Sequence, residues 1–220
     1  MSTVRVPLSR ERVVDRAIAL ADAGSIEGLS MRKLAKDLGF EVMSLYNHVG
    51  GKDELFAAMV ESVAGEFELP APRGAPVDGW KAALRASALS VHGVLLRHPW
   101  AARIWWSTES GPVRLEFMES LLRAMREGGL PASVAYHGYH ALTMHLLGFT
   151  LQEVAIDIDA TDLYGLASEF LSTLDTERFP HFAEHVHQHI DGTRHEGDFV
   201  YVLDLILDGL ERAAEVPTVG

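Results

Sequence analysis

The chain has 220 residues, 48% of them apolar and 23% charged, with a formal net charge of −12. These values describe a globular chain with material for one large or two small domains, not a disordered one. It has no cysteine, which excludes a disulfide scaffold, a zinc ribbon and a thiol nucleophile.

Residues 1–13 lack the apolar stretch of a secretory signal, so a cytoplasmic location is expected. A first helix starts after Ser9, a good N-cap, with Glu11 in its first turn and Val13, Ala17, Ile18 and Ala21 at helical spacing. Ser30 caps a second helix over 31–38 that ends at Gly39, and a third runs over 42–49. Gly50 and Gly51 break the chain, and Asp53 and Glu54 open a fourth helix to about residue 67. Residues 69–79 hold three prolines and two glycines in eleven positions and mark a boundary. Beyond it the pattern predicts helices over 80–97, 112–127, 131–156, 162–174 and 199–213. No stretch of alternating polarity is long enough for a sheet. The fold class is all-α, with a small head over 1–68 and a helical body over 69–220.

Charge is unevenly spread. Residues 1–60 hold eight Lys/Arg and eight Asp/Glu, so the body carries the whole excess, 11 − 23 = −12. Residues 128–152 contain no Asp, Glu, Lys or Arg, but Pro131, three histidines and Gln152 make them a poor membrane span. Apolar residues lie all round that helix, which predicts burial on every side. The last helix places Phe199, Val202, Leu203, Ile206 and Leu210 on one stripe, with Tyr201 and Leu205 off it. Two such wide apolar helices exceed the needs of one core, which points to a bundle shared by two copies, a homodimer.

Function is written in residues 29–55, LSMRKLAKDLGFEVMSLYNHVGGKDEL. Leu34 and Leu38 face a core, Ala35 permits close helix approach, Gly39 turns the chain, and Val42, Leu45 and Val49 resume the apolar spacing. This is helix-turn-helix arithmetic, and it frees Met43, Ser44, Tyr46, Asn47 and His48 on the second helix. Through Leu29–Ala35, Leu38-Gly39, Ser44–Val49 and Lys52 the sequence resembles the TetR family of bacterial transcriptional repressors, in its tetracycline-repressor-like branch. Leu95-Leu96-Arg97, residues 146–152 and residues 205–210 extend the resemblance more weakly over the body.

The resemblance implies a helix-turn-helix DNA-binding domain over 1–68 and an effector-binding and dimerisation domain over 69–220. It implies a homodimer on a palindromic site in double-stranded operator DNA, released by a small-molecule effector. The chemistry of the residues agrees. Arg32 can donate bidentately to guanine or clamp a phosphate, Val42 and Met43 can meet a thymine methyl, and Ser44 and Asn47 are versatile partners. Tyr46, His48 and Lys52 suit the phosphate backbone. Each has a blander alternative: core packing for Val42 and Tyr46, a solvated helix end for His48, surface charge for Arg32 and Lys52.

For the body, the resemblance places Ser87, Val91, Trp105 and Thr108 at ligand-facing positions. Pocket-building residues Trp100, Trp106, Phe117, Met118, Tyr136, Met144 and Phe149 suit a small apolar or aromatic effector, although aromatic residues at helical spacing are commonly core. Where the branch anchors a magnesium–drug chelate by histidine this chain has Trp105, and a remoter acidic anchor falls on Gln152. A magnesium–tetracycline effector is therefore not expected, nor any cofactor, nor membrane association.

Histidines offer the one competing chemistry. His181, His185 and His189 share a face if their segment is helical, and His137, His140 and His145 form a looser set. A His-rich, metal-dependent, all-helical enzyme is the alternative. The His181–His195 stretch is polar, an exposed loop or short helix, and no Glu-x-x-His or His-Glu-x-x-His spacing occurs, so no metal site is expected.

Overall fold

The structure, a computed structural model, describes residues 7–71, 79–155, 160–190 and 198–215. Its elements are α1 (Arg10–Asp22), α2 (Met31–Leu38), α3 (Val42–Leu45), α4 (Lys52–Ala64), α5 (Trp80–Arg97), α6 (Pro99–Ile104), α7 (Pro112–Glu127), α8 (Ala132–Ala155), α9 (Ala160–Thr173), α10 (Pro180–Ile190) and α11 (Asp198–Glu215). Among the described residues there is no strand, and the protein is all-α.

Local chemistry sets the first elements. Ser9 Oγ accepts from the Arg12 amide at 3.2 Å and Ser30 Oγ from the Lys33 amide at 3.2 Å, each taking one of the unpaired donors of a helix start. Gly39 ends α2 in the left-handed region (φ 73°), with its amide on Lys36 O and the Phe40 amide on Ala35 O. That paired closure needs a residue without Cβ strain. Val13 and Ala17 of α1, Leu34 of α2, Leu45 of α3 and Met59 of α4 are buried together and hold the head.

In the body α5, α7, α8 and α11 pack around a core continuous with that of the head. Gly138 permits the closest approach: a Cβ there would lie 2.8 Å from Met125 Sδ and 2.9 Å from Leu210 Cδ2, so α8 can lie flush between α7 and α11. The short α6 touches α1, α4, α5 and α8 and so sits where head and body meet. Asp22 at the end of α1 accepts from Trp100 Nε1 (2.6 Å) and lies 2.9 Å from His98 Nδ1, while Glu66 pairs with Arg97 at 2.7 Å. The α9 and α10 helices pack on each other and only marginally on the rest. Their buried residues Ala167, Ala183 and Val186 lie outside the main core.

Several expectations are corrected. The third helix is one turn, not eight residues: Tyr46, Asn47 and His48 form turns, closed by the His48 and Val49 amides on Leu45 O. Val49 is nevertheless buried, which prolongs the apolar spacing past the helix end. The sequence pattern predicts no element at α6. Nor is α8 buried all round: Tyr136 and Met144 stand out from it, as do Tyr201 and Leu205 from α11. No described helix is long and apolar enough to cross a membrane.

Candidate DNA interface and effector pocket

The head presents one face of cations and amphipathic side chains. Met43 is 73% exposed and Tyr46 43%, Asn47 is exposed, and Ser44, His48 and Val42 are half-buried, with Val42 resting on the core. Arg32, Lys33 and Lys36 project from α2, and none is ion-paired among the described residues. Lys52 opens α4 with its ammonium 5.0 Å from the Phe56 ring. Two nearby acids are engaged elsewhere, Asp37 bound bidentately by Arg16 and Glu54 capping the Gly50 amide at 2.7 Å and pairing with Arg10 at 3.6 Å, while Glu41 and Asp53 stand exposed. Among the described residues around α3 the unpaired cations Arg32, Lys33, Lys36 and Lys52 outnumber the two unengaged acids, which leaves a net positive face where a phosphate backbone would run.

In the body, a small apolar cavity lies between α5, α7 and α8, lined by Phe67, Val91, Leu95, Trp105, Phe117, Thr143, Leu146 and Leu147. Its free space is about 10 Å³, barely one water molecule. Aromatic rings fill it: Trp105 stacks on Phe67 with centroids 5.8 Å apart, and Phe67 meets Phe117 edge-on at 5.0 Å. Any ligand larger than a water must push these rings apart.

Of the sequence-derived pocket residues, Val91 and Trp105 line this cavity. Ser87 is buried, with its hydroxyl donating to Glu68 O at 2.6 Å. Thr108 lies behind Trp105, its Oγ1 donating to Ile104 O and accepting from Arg114 Nη1 at 2.6 Å. Met118 is half-buried against the core. Met144 does not line the cavity; it is 52% exposed on the outer face of α8, because Thr143, Leu146 and Leu147 take the inner one. Trp106 and Tyr136 are likewise exposed, and Trp100 is committed to Asp22.

Five residues escape a reading of the sequence. Phe67 and Leu95 line the cavity, Tyr139 and Arg114 are buried against its wall residues Thr143 and Trp105, and Glu61 of α4 reaches the start of α7. Glu61 accepts from the main-chain amides of Gly111 (3.1 Å), Val113 (2.8 Å) and Arg114 (3.2 Å). The α7 helix has no side-chain cap of its own, so a carboxylate from the helix that carries the head supplies one. Arg114 has a readable signal, a charge at the head of the apolar stripe that Phe117, Leu121 and Ala124 continue.

The histidines do not converge. His181 and His185 are exposed on α10, with His185 stacked near Phe182. The His189 side chain and His195 lie outside the described residues. His145 is buried and donates through Nε2 to Phe199 O at 2.9 Å, whereas His137 and His140 are exposed. Among the described residues no group of three or more His, Asp or Glu side chains is placed to hold a metal ion. Gln152 is exposed.

Comparison with known proteins identifies the family. Residues 13–59 match the model of bacterial regulatory proteins of the tetR family, and residues 71–214 match the tetracyclin repressor-like C-terminal domain. The class D tetracycline repressor of Escherichia coli is 30% identical over 93% of this chain and 89% of its own length. The transcriptional repressor DrrR1 of Streptomyces coeruleorubidus is 42% identical over 56% of this chain, a match that spans 45% of that protein. The crystal structure of the Streptomyces coelicolor TetR family protein ActR with actinorhodin superposes with a TM-score of 0.77, at 29% identity, covering 96% of this chain and all of that one. A helix-turn-helix head on a helical body, matched along almost its full length, makes this chain a member of the TetR family of ligand-responsive transcriptional repressors.

Proposed function

We propose that the protein binds a palindromic operator in double-stranded DNA as a homodimer in the cytoplasm and is released by a small apolar or aromatic effector. The head over 1–68 makes the DNA contacts and the body over 69–220 holds the effector and the partner protomer. One observation carries the DNA half: the exposed turn around α3 lies beside cations that have no carboxylate partner among the described residues. Arg32, Val42, Met43, Ser44 and Asn47 meet base edges or phosphates in the major groove, and Tyr46, His48 and Lys52 position the backbone. For the effector half, the support is a ring-lined cavity at Val91 and Trp105, with Thr108 behind the indole, Ser87 one turn before Val91 and Met118 in the adjacent layer. That ActR is crystallised with actinorhodin favours an aromatic effector. The metal-dependent enzyme finds no support in family or relatives.

Gel shift with the intergenic DNA upstream of the protein's own gene tests the reading. Binding should weaken steeply with salt. Arg32→Ala with Lys52→Ala should lower affinity and reduce the slope of log K against log salt by about 1 for each phosphate no longer neutralised. Unchanged binding by the double variant would defeat it.

A further inference from the structure

The edge of the aromatic cavity holds two buried donors that nothing among the described residues receives. Arg114 is 2% exposed and Tyr139 9%. Arg114 Nη1 donates to Thr108 Oγ1 (2.6 Å), and Nη2 to Thr108 O (3.1 Å) and Ser110 Oγ (2.5 Å). Arg114 Nε and Tyr139 Oη have no hydrogen-bond partner among the described residues. The acid facing Nε is Glu61, whose Oε1 stands 4.0 Å away and is already engaged by the amides that start α7.

Neither group lines the cavity itself, but both pack against residues that wall it. The Arg114 guanidinium lies over the Trp105 ring, 4.9 Å from its centroid, and is one turn from Phe117. Tyr139 is one turn from Thr143, whose hydroxyl donates to Tyr139 O at 2.8 Å. Trp105, Phe117 and Thr143 are cavity walls. Arg114 and Tyr139 are also close enough to act on each other electrostatically. Buried polar atoms are nearly always satisfied in folded proteins, and a pair left over beside an apolar cavity is the pattern of a ligand site.

We propose that the effector is an aromatic molecule bearing an anionic oxygen, an arene carboxylate or ionised phenol, which accepts from Arg114 Nε–H and Tyr139 O–H while its ring displaces the Trp105–Phe67 stack. This rests on the effector half of the proposed function. The negative charge follows from the donors: the guanidinium is always cationic, its facing carboxylate is shared with the α7 amides, and a cationic ligand would be repelled. An oxygen drawn to Arg114 also acts on a residue whose amide is held by Glu61 of α4, the helix that carries the head.

Calorimetric titration with 2-naphthoate and with 2-methylnaphthalene, the same ring without the oxygens, tests this on the full chain. Naphthoate should bind at least tenfold more tightly. Tyr139→Phe should weaken naphthoate about tenfold, leave methylnaphthalene unchanged, and melt no lower than the wild type, since the hydroxyl it removes has no partner. Arg114→Gln should weaken naphthoate further; if that variant does not fold, Tyr139→Phe carries the test alone. Tyr139→Phe binding naphthoate as the wild type does, or melting below it, overturns the proposal. Equal binding of both probes, lost in Trp105→Ala, overturns the anchor and leaves the pocket standing. Failure of both probes to bind, naphthoate at millimolar concentration and methylnaphthalene at saturation, overturns anchor and pocket together.

Discussion

His92 and His145 both stack on Phe199, with ring centroids 3.9 and 4.6 Å away, and so join α5 and α8 to the start of α11. Their protons can be placed from their partners. The Thr150 hydroxyl donates to Leu146 O at 2.7 Å, so it accepts from His92 Nδ1 at 3.1 Å, while His92 Nε2 faces Glu153 at 3.3 Å. Burial holds the His92 imidazole below its ordinary value of 6.5; Glu153 opposes that shift and His145 adds to it. Burial likewise lowers His145, against the pull of Phe199 O. Burial therefore favours the neutral form of both rings, against the Glu153 carboxylate in the case of His92. Below about 6.5 the unfolded chain takes up these protons more readily than the folded one. Stability should be full above that pH and fall as pH drops from 6.5 toward the lower folded values. Thermal melts at pH 7.5 and 5.5 check it: the drop should be smaller in the His92→Gln, His145→Gln double variant, and an equal drop would contradict the assignment.

Among elements, the Glu61 cap on α7 links the helix that carries the head to a second wall of the aromatic cavity, besides Phe67 just past that helix's own end. Removing it in Glu61→Ala leaves three amides at the start of α7 without their protein partner, which should lower stability by about 1–2 kcal/mol. Glu61→Gln keeps an acceptor and should recover part of the loss. Urea unfolding measures both, and a wild-type midpoint for Glu61→Ala would show that the cap holds nothing. No sequence pattern announces such a cap, because Glu61 and Gly111 are fifty positions apart and meet only after α4 packs on α7. What lies within one turn is legible. Ser30, Gly39 and the Leu34–Leu38 spacing define α2 and its turn, since capping and left-handed geometry depend on near neighbours. The sequence overstates α3 because Val49 is buried beyond the helix end, and it hides α6 because six residues from Pro99 on are too few for a period. Met144 suits a pocket by its chemistry and yet faces outward. A uniformly apolar helix gives no phase, so only packing against α7 and α11 decides which side is inner.

That outer side governs the whole molecule. Gly138 meets Leu210, and His145 meets Phe199, so α8 and α11 run antiparallel. Tyr136 and Met144 on one and Tyr201, Val202 and Leu205 on the other are exposed at helical spacing. Exposed large apolar side chains on two adjacent helices are candidates for a protein interface, and the proposed homodimer covers them with the same face of a second copy. One short reading element contacts only a few base pairs, so useful affinity needs two heads on half-sites about one DNA turn apart. Met144→Glu with Leu205→Glu places two carboxylates in that interface without touching the core. Sedimentation at micromolar concentration should then show a monomer, with a melting profile that keeps the protomer folded. Each protomer brings the same phosphate contacts, so operator binding by the variant should show about half the wild-type slope of log K against log salt. A variant that stays dimeric would place the interface elsewhere. A monomer that keeps the full salt slope would mean that one head makes all the phosphate contacts, and the twofold arrangement would then have no part in DNA recognition.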